Sequence, residues 1–499
     1  MHHRRNLQVR PAEFRQRVRR FPRDDLLRGI AQASAREVLN RTSSPDTHEE
    51  KLSVVREGYL FQIAGVCVTH CNNHRNPVVD DAAVGDLLDG FFSTRPPELD
   101  GSRELRTWQR YLSRVAYIQM PYQLSPWEPL ARTLCLFGED RRFGEPVFEN
   151  RRWEAILGIT LEEFLKIAFI MYAAAVRNPG GILRETLLAP NVRPAFEPVG
   201  AERALQVVDS WLARPVADLA QLGQEETLDP DDLWRFNPFY EWPIAIMDDG
   251  TYVTPSPLGV LRRFGPQGMY FIGRDAVDAD ANPDAFRAFT KALGLRFERY
   301  IGVQLGFIQH AQLHPEIVYD DEQRSVDYII ETPEVLVLVE VKSVAPNIDT
   351  RSGIFPDNGD VERNIQRACQ QITKSAALIE QGHPDFPALD GRQMRGLVVT
   401  REPYFNLPLP FLTDVVQPAS IPTTVVSSQE LEVAIPALYE AVDCGTALLG
   451  ALASEGDAVK TSLNPLPVDR NLLLDEIADR WRDEHRLIDP EELPDGPAE

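Results

Sequence analysis

Two acidic residues and a lysine stand at a spacing that suits metal-dependent chemistry: Asp327, Glu340 and Lys342. Between them lie two apolar, β-branched runs separated by Thr332-Pro333-Glu334, a pattern that predicts a β-hairpin. A two-residue loop and a four-residue loop both pair Asp327 with Glu340, and proline at the first loop position favours the longer one. The two carboxylates are therefore expected on one face of the hairpin, about 5 Å apart.

Two facing carboxylates repel each other, and Lys342 cannot neutralise both while it remains available for chemistry. A divalent metal is the expected solution, and Mg²⁺ prefers oxygen ligands in near-octahedral geometry. Asp327, Glu340 and the backbone carbonyl of Val341 could supply one face of that octahedron, with Mn²⁺ as a substitute. The metal would offset charge on a phosphoryl oxygen, and Lys342 would position or deprotonate the attacking water. The number of metal ions stays open.

The elements around this hairpin predict an α/β sandwich on a mixed sheet, in the order α-β-β-β-α-β. An amphipathic helix and a strand precede the hairpin, and a long loop, a helix and a buried strand follow it. In the same order, the predicted ranges are 284–308, 314–319, 326–343, 344–360, 361–380 and 396–400, with a last strand at 423–427.

The pattern Asp327-x12-Glu340-x-Lys342, together with this element order, resembles the PD-(D/E)XK nuclease superfamily, which has the restriction-endonuclease-like fold. The resemblance covers residues 284–430, less than a third of the chain, and Val326 stands where many members have proline. It implies an Mg²⁺-dependent phosphodiesterase with Asp327, Glu340 and Lys342 as catalytic residues.

The same resemblance implies roles for three helical residues. Glu298 matches the acidic residue that many members place near the metal, and Gln371 and Lys374 match a pair that many members direct at the site or the phosphate. Gln370 is an alternative to Gln371, because it shares an i, i+4 row with Lys374. Each of these residues could instead be a solvated helix residue, and Asp327, Glu340 and Lys342 could form an ordinary ion triad.

The whole chain is expected to be multidomain, with a mainly helical N-terminal half and a helical C-terminal segment. Amphipathic or apolar helical stretches are predicted at 103–118, 161–176 and 201–212. The predicted divisions are an Arg-rich arm (1–45), a helical domain of unknown role (46–236), a small β-rich connecting element (237–283), the nuclease-like domain (284–430), and C-terminal helices with an acidic tail (431–499).

Charge is distributed unevenly along the chain. The formal net charge is −23, yet residues 1–41 hold eleven arginines and four acidic residues, a local balance of +7. This segment could follow the phosphates of a nucleic acid, form a solvated helix, or pack on its own acidic body or on a partner subunit. The remaining composition, 43% apolar and 25% charged, is typical of a soluble globular protein.

The absence of a run of eighteen apolar residues argues against a membrane span, and five scattered cysteines favour reduced thiols in a cytoplasm. We therefore expect a cytoplasmic nuclease, with DNA as the first choice of substrate and endonuclease or exonuclease action left open. The helical half would target or gate it, or bind a protein partner or a second copy. This architecture is similar to effector nucleases of bacterial anti-phage defence. The alternatives are an RNA-directed nuclease and a nuclease-fold binding or scaffolding module that does not cleave.

Overall fold

The computed structural model describes residues 9–40, 48–94, 125–226, 233, 237–320, 322–344, 360–403, 416–453, 460, 462–464, 466 and 469–487. The predicted helix at 103–118, most of the long loop at 344–360 and the acidic tail lie outside these ranges. The chain divides into two compact units. The first contains Met1–Leu134, Phe148–Ala276 and Ala478–Glu499, and the second contains Cys135–Val147 and Val277–Ile477.

Helices dominate the first unit, as predicted for the N-terminal half. In chain order they are α1 (Pro11–Val18), α2 (Arg23–Leu39), α3 (His48–His70), α4 (Asp81–Phe92), α5 (Trp127–Phe137, which continues into the second unit), α6 (Asn150–Leu157), α7 (Leu161–Arg177), α8 (Arg184–Leu187), α9 (Ala201–Trp211), α10 (Val216–Glu226), α11 (Pro257–Phe264) and α12 (Pro266–Ala276). Four short strands form a sheet of order β1-β4-β3-β2: β1 (Ile182–Leu183), β2 (Ala213–Pro215), β3 (Ile244–Ile246) and β4 (Thr251–Val253). Among the described helices, none is both long and apolar enough to cross a membrane.

Two predictions for this part of the chain need correction. Residues 9–40 do not form an arm, because Phe14 and Val18 of α1 and Leu27 of α2 are fully buried in the core of the first unit. The segment therefore packs on its own body, while Arg10, Arg19 and Arg20 stay exposed. The apolar residues 269–273 belong to the predicted β-rich element (237–283), where their sequence suits a short strand. They lie inside α12 instead, where Met269 and Ile272 share its buried face at helical spacing.

The second unit is built on a mixed five-stranded sheet of order β11-β10-β9-β8-β5. Strands β9, β10 and β11 are parallel, and β8 is antiparallel to both β9 and β5. Its strands are β5 (Gln312–Pro315), β6 (Val318–Tyr319), β7 (Gln323–Arg324), β8 (Tyr328–Glu331), β9 (Val335–Lys342), β10 (Gln393–Thr400) and β11 (Thr423–Ser427), of which β6 and β7 pair separately. Its helices are α13 (Pro283–Leu305), α14 (Asp360–Glu380), α15 (Ser428–Glu440), α16 (Cys444–Ala451) and α17 (Leu472–His485, which continues into the first unit).

Strand β9 lies in the middle of this sheet and is buried along almost its whole length. A continuous apolar run of this kind is typical of a strand that is covered on both faces. Leu336 and Leu338 of β9 pack in one core with Ile365 and Ile372 of α14. The apolar packing therefore orients β9 and leaves its polar end, Glu340 to Lys342, at one edge of the core.

The compact second unit is larger than the predicted range 284–430, because it includes residues 135–147 and extends to Ile477. Arg296 of α13 explains the first addition. Its buried guanidinium donates to the carbonyl oxygens of Cys135 (2.7 Å), Gly138 (2.7 Å), Asp140 (3.1 Å) and Gly144 (3.0 Å). These bonds attach a distant stretch of sequence to the helix that precedes the sheet.

Candidate metal centre

The predicted hairpin is present in the predicted register. Glu331 pairs with Leu336 and Tyr328 with Val339, so Asp327 and Glu340 are the next opposing residues beyond the observed ladder. The Val341 amide donates to Asp327 Oδ2 at 2.7 Å and ties the aspartate to the end of β9.

The Thr332 hydroxyl accepts from the backbone amides of Glu334 and Val335 and holds the turn at the other end of the hairpin. The Val335 amide thus bonds to the side chain of Thr332, and the pairing of Glu331 with Leu336 is kept.

Glu316 is a third carboxylate beside Asp327 and Glu340, although no motif in the sequence points to it. Strand β5 pairs Pro315 with Tyr328, so one residue further along the same register Glu316 stands opposite Asp327. Three neighbouring chain segments therefore each bring a carboxylate, Glu316, Asp327 and Glu340, to one level of the sheet. No local signal in the sequence reports the register between β5 and β8, because β6 and β7 lie between them.

Glu298 approaches the same place from α13. It is half-buried, and burial, followed by the charges of Asp327 and Glu316, raises its pKa to about 7. The Tyr328 hydroxyl donates to the backbone carbonyl of Glu298 at 3.1 Å, which ties this turn of α13 to β8. The charge of Asp327 therefore acts on Glu298, and the role of Glu298 as a metal ligand stays a prediction.

Glu340 is the most buried of these carboxylates, with 5% of its surface exposed. Its Oε1 accepts from Lys342 Nζ at 2.5 Å, whereas its Oε2 is buried and has no hydrogen-bond partner within the described ranges. Burial, followed by the charge of Asp327, raises the pKa of Glu340 to about 7, and the Lys342 ammonium opposes this increase. Burial also raises the pKa of Asp327, against the hydrogen bond from the Val341 amide.

Arg324 is a second cation close to the carboxylates of Glu316, Asp327 and Glu340. Its guanidinium pairs with Glu316 at 2.6 Å, and its positive charge opposes the increase in the pKa of Glu298. Among the described residues around Asp327, two cations, Arg324 and Lys342, face four carboxylates, Glu298, Glu316, Asp327 and Glu340, so negative charge is in excess.

Gln371 and Lys374 bond to the segment that precedes Asp327, and not to the carboxylates themselves. Gln371 Nε2 donates to the carbonyl oxygens of Arg324 (2.9 Å) and Ser325 (2.8 Å). Lys374 Nζ donates to Gln323 Oε1 at 2.6 Å. Gln370, the alternative to Gln371, is exposed at the preceding position of α14.

The chemistry of these residues fits a hard divalent cation. Mg²⁺ prefers carboxylate oxygens as ligands, and this site offers several of them. One of them, Oε2 of Glu340, is buried and has no hydrogen-bond partner among the described residues. In the conformation described, however, Lys342 occupies Glu340 Oε1, and the part of the chain that the structure describes holds no group of three or more His, Cys, Asp or Glu residues arranged to bind a metal. Val341, predicted to offer its carbonyl, is seen to donate its amide to Asp327.

No protein-family model, no curated protein and no solved structure matches this chain. The resemblance to the PD-(D/E)XK superfamily therefore stays a prediction, and any assignment of function rests on the residues and geometry described above.

Proposed function

We propose that the second unit is a metal-dependent nuclease that hydrolyses phosphodiester bonds, with DNA as the substrate class. One observation carries the proposal: Glu340 is buried beside Asp327 with one oxygen unsatisfied and the other bonded to Lys342. Burying an ionised carboxylate beside another is costly unless a cation compensates them, and sites where such a cost is retained are often functional. The element order α13-β5-β8-β9-α14-β10 supports a restriction-endonuclease-like core.

Asp327, Glu340 and Glu298 would hold Mg²⁺ or Mn²⁺, and Glu316 adds negative charge beside them. A bound Mg²⁺ would stabilise the charge that develops on the phosphoryl oxygens. Lys342 is partly exposed, with 22% of its side chain accessible, so its ammonium can reach a phosphate or a water molecule. It would orient the attacking water while it keeps Glu340 in place.

In this proposal, Gln371 and Lys374 act indirectly, by holding the segment that precedes Asp327. Gln371 fixes the backbone of Arg324 and Ser325, three and two residues before Asp327, and Lys374 holds the adjacent Gln323. We therefore assign them positioning roles, since neither side chain bonds to the carboxylates.

Substitution of Lys342 and of Asp327 tests the catalytic assignment. Lys342→Ala and Asp327→Ala should each lower the rate of DNA cleavage with Mg²⁺ or Mn²⁺ by roughly 100-fold or more, the usual contribution of a positioned proton-transfer group. Lys291→Ala removes an exposed lysine from α13 and is the matched control, with a rate equal to that of the unmodified protein. Full activity in both Lys342→Ala and Asp327→Ala would show that the site is misassigned.

A binding or scaffolding module without cleavage is the second candidate. The direct Lys342–Glu340 bond and the net charge of −23 favour it, because an internal ammonium already neutralises one carboxylate. Calorimetric titration with Mn²⁺ separates the candidates: heat that disappears in Glu340→Gln supports the nuclease, and no heat at millimolar Mn²⁺ supports the module.

The same chemistry can act on RNA, because the proposed catalytic groups would act on the phosphodiester and not on the sugar. Cleavage of matched DNA and RNA strands decides between these substrates, with DNA expected to be cut faster. A role as an effector of anti-phage defence rests on similarity of architecture alone.

A further inference from the structure

The first described residues are strongly basic. Between Val9 and Arg23 the sequence has six arginines and one glutamate, so this stretch carries a formal +5 in a chain whose net charge is −23. The protein has 75 acidic residues with which it could neutralise these arginines. The way α1 packs determines which of the arginines stay available.

Helix α1 faces the core with its apolar residues and the solvent with its arginines. Phe14 and Val18 are fully buried, whereas Arg10, Arg19 and Arg20 are exposed. Two of the other arginines have acidic partners: Arg17 pairs with Glu13 at 2.6 Å and Arg23 pairs with Asp24 at 2.8 Å. No acidic side chain of the described residues pairs with the three exposed ones.

The end of α3 lies against this helix. The Cys71 thiol donates to the carbonyl of Val18 at 3.3 Å, and the Arg23 amide donates to the carbonyl of Asn72 at 3.1 Å. His70 responds to this environment: burial, followed by the positive charges of Arg15 and Arg19, lowers its pKa to about 4.

No acidic group is among the causes of the shift at His70. We call the three exposed arginines, Arg10, Arg19 and Arg20, the α1 basic patch.

We propose that the α1 basic patch binds the phosphate backbone of a nucleic acid strand. Guanidinium groups suit phosphate because they can donate two parallel hydrogen bonds to its oxygens. Arg10 precedes α1 directly, and Arg19 and Arg20 follow it. At about 1.5 Å per residue these arginines lie along about 15 Å of chain, a distance that covers several phosphates. Uncompensated cations of this density on an acidic protein fit a polyanion.

Two other anionic partners fit the α1 basic patch less well. A helix that binds a membrane surface inserts its apolar face, but Phe14 and Val18 are already buried inside the first unit. A protein interface usually has an aromatic or aliphatic centre, and within residues 9–23 no large apolar side chain is exposed. The proposal does not depend on catalysis in the second unit, because binding to α1 needs no metal.

The test measures binding of labelled single-stranded DNA, duplex DNA and matched RNA by fluorescence anisotropy over a range of salt concentrations, with EDTA present to prevent cleavage. The full-length variant Arg10→Gln, Arg19→Gln, Arg20→Gln should bind more weakly, and the slope of log affinity against log salt should decrease by roughly 2 to 3. This decrease follows from about 0.7 to 0.9 per lost phosphate contact. The corresponding triple Arg→Lys variant keeps the charge and should retain most of the slope.

The matched control removes the same charge elsewhere on the first unit. Arg151→Gln, Arg152→Gln, Arg203→Gln changes three exposed arginines outside α1 and should leave both affinity and slope unchanged. Equal losses in the two triple Gln variants would overturn the proposal, because only net charge would then matter. Anionic lipid vesicles or polyglutamate that compete as strongly as the oligonucleotide would also overturn it. Because cleavage is not measured, failure here is distinct from failure of the catalytic proposal.

Discussion

Glu340 combines three conditions that rarely occur together at one residue: burial, a neighbouring carboxylate and a bonded ammonium. Burial and Asp327 favour the protonated form, while Lys342 favours the ionised form. Glu298 has a similarly raised pKa, for which burial is again the first cause. Without a bound cation, the ionised site therefore opposes folding.

Stability of the metal-free protein should decrease with pH across a defined window. The ordinary pKa of a glutamate is 4.5, and the folded-state pKa values of Glu298 and Glu340 are about 7. Between these values the folded state binds more protons than the unfolded state, so the free energy of unfolding falls as pH rises, by up to about 1.4 kcal/mol per pH unit for one group. Urea unfolding in EDTA at several pH values measures this slope.

Glu340→Gln is the variant that isolates one contribution to the slope. It should flatten the pH dependence and make the metal-free protein more stable near neutral pH, because the repulsion with Asp327 is removed. Added Mn²⁺ should stabilise the unmodified protein and not this variant. An unchanged slope in Glu340→Gln would contradict the electrostatic account of the site.

The contact between α13 and β8 decides where Glu298 lies. Gly302 faces the ring of Tyr328 so closely that a Cβ at this position would be 2.3 Å from the tyrosine oxygen. One turn earlier, the same hydroxyl donates to the Glu298 carbonyl. Close packing at a glycine thus allows α13 to approach β8.

Gly302→Ala should therefore destabilise the protein by about 1–3 kcal/mol, the usual cost of overpacking, and should lower cleavage because Glu298 is displaced. Gly294→Ala, on the same helix, is the matched control, since its Cβ would be 3.9 Å from the nearest atom, in Ser343. This control should be neutral or more stable by about 0.5–1 kcal/mol, owing to the higher helix propensity of alanine. Thermal and urea unfolding of both variants test the contact.

Helix α14 distinguishes the two neighbouring glutamines that the sequence leaves as alternatives. Gln371→Ala should cost about 1–2 kcal/mol of stability and lower cleavage, because the carbonyl groups of Arg324 and Ser325 lose their donor. Gln370→Ala changes an exposed side chain and should alter neither. Urea unfolding and cleavage rates measured in parallel give the comparison, and equal effects of the two substitutions would refute the positioning role.

At the scale of the whole molecule, the second unit is discontinuous in sequence. Arg296 is 1% exposed, and its hydrogen bonds all go to backbone carbonyls between Cys135 and Gly144. A buried guanidinium without acceptors carries a large desolvation cost. The boundaries suggested by the motif alone therefore do not delimit a self-sufficient piece of protein.

A fragment limited to residues 284–430 should accordingly fail to fold, whereas the full chain should give the spectrum of a folded protein. In the full chain, Arg296→Lys should reduce the free energy of unfolding by about 3 kcal/mol or more, because an ammonium cannot reproduce the planar set of donors. Arg299→Lys is the control, since this neighbour on α13 is exposed. Circular dichroism of the fragment and urea unfolding of the variants provide the measurements, and a stably folded fragment would contradict the prediction.

Features that depend on neighbours in sequence can be predicted well. The register of β8 and β9 follows from the short loop between two apolar runs, α14 follows from helical periodicity, and β10 follows from its apolar run. The pairing of Asp327 with Glu340 is therefore predictable from the amino-acid sequence alone. Residues 269–273 show the limit of this reasoning, because a short apolar run suits a strand and a buried helix face equally.

Glu316, the bonds of Gln371 and the attachment of residues 135–147 to Arg296 could not be predicted. Each depends on two segments distant in sequence, whose contact is selected by the packing of the entire unit and not by local propensity. Periodicity and turn chemistry thus specify the hairpin and its facing carboxylates. Long-range packing specifies which further charges surround them, because the energy of a buried charge depends on every neighbour within a few ångströms.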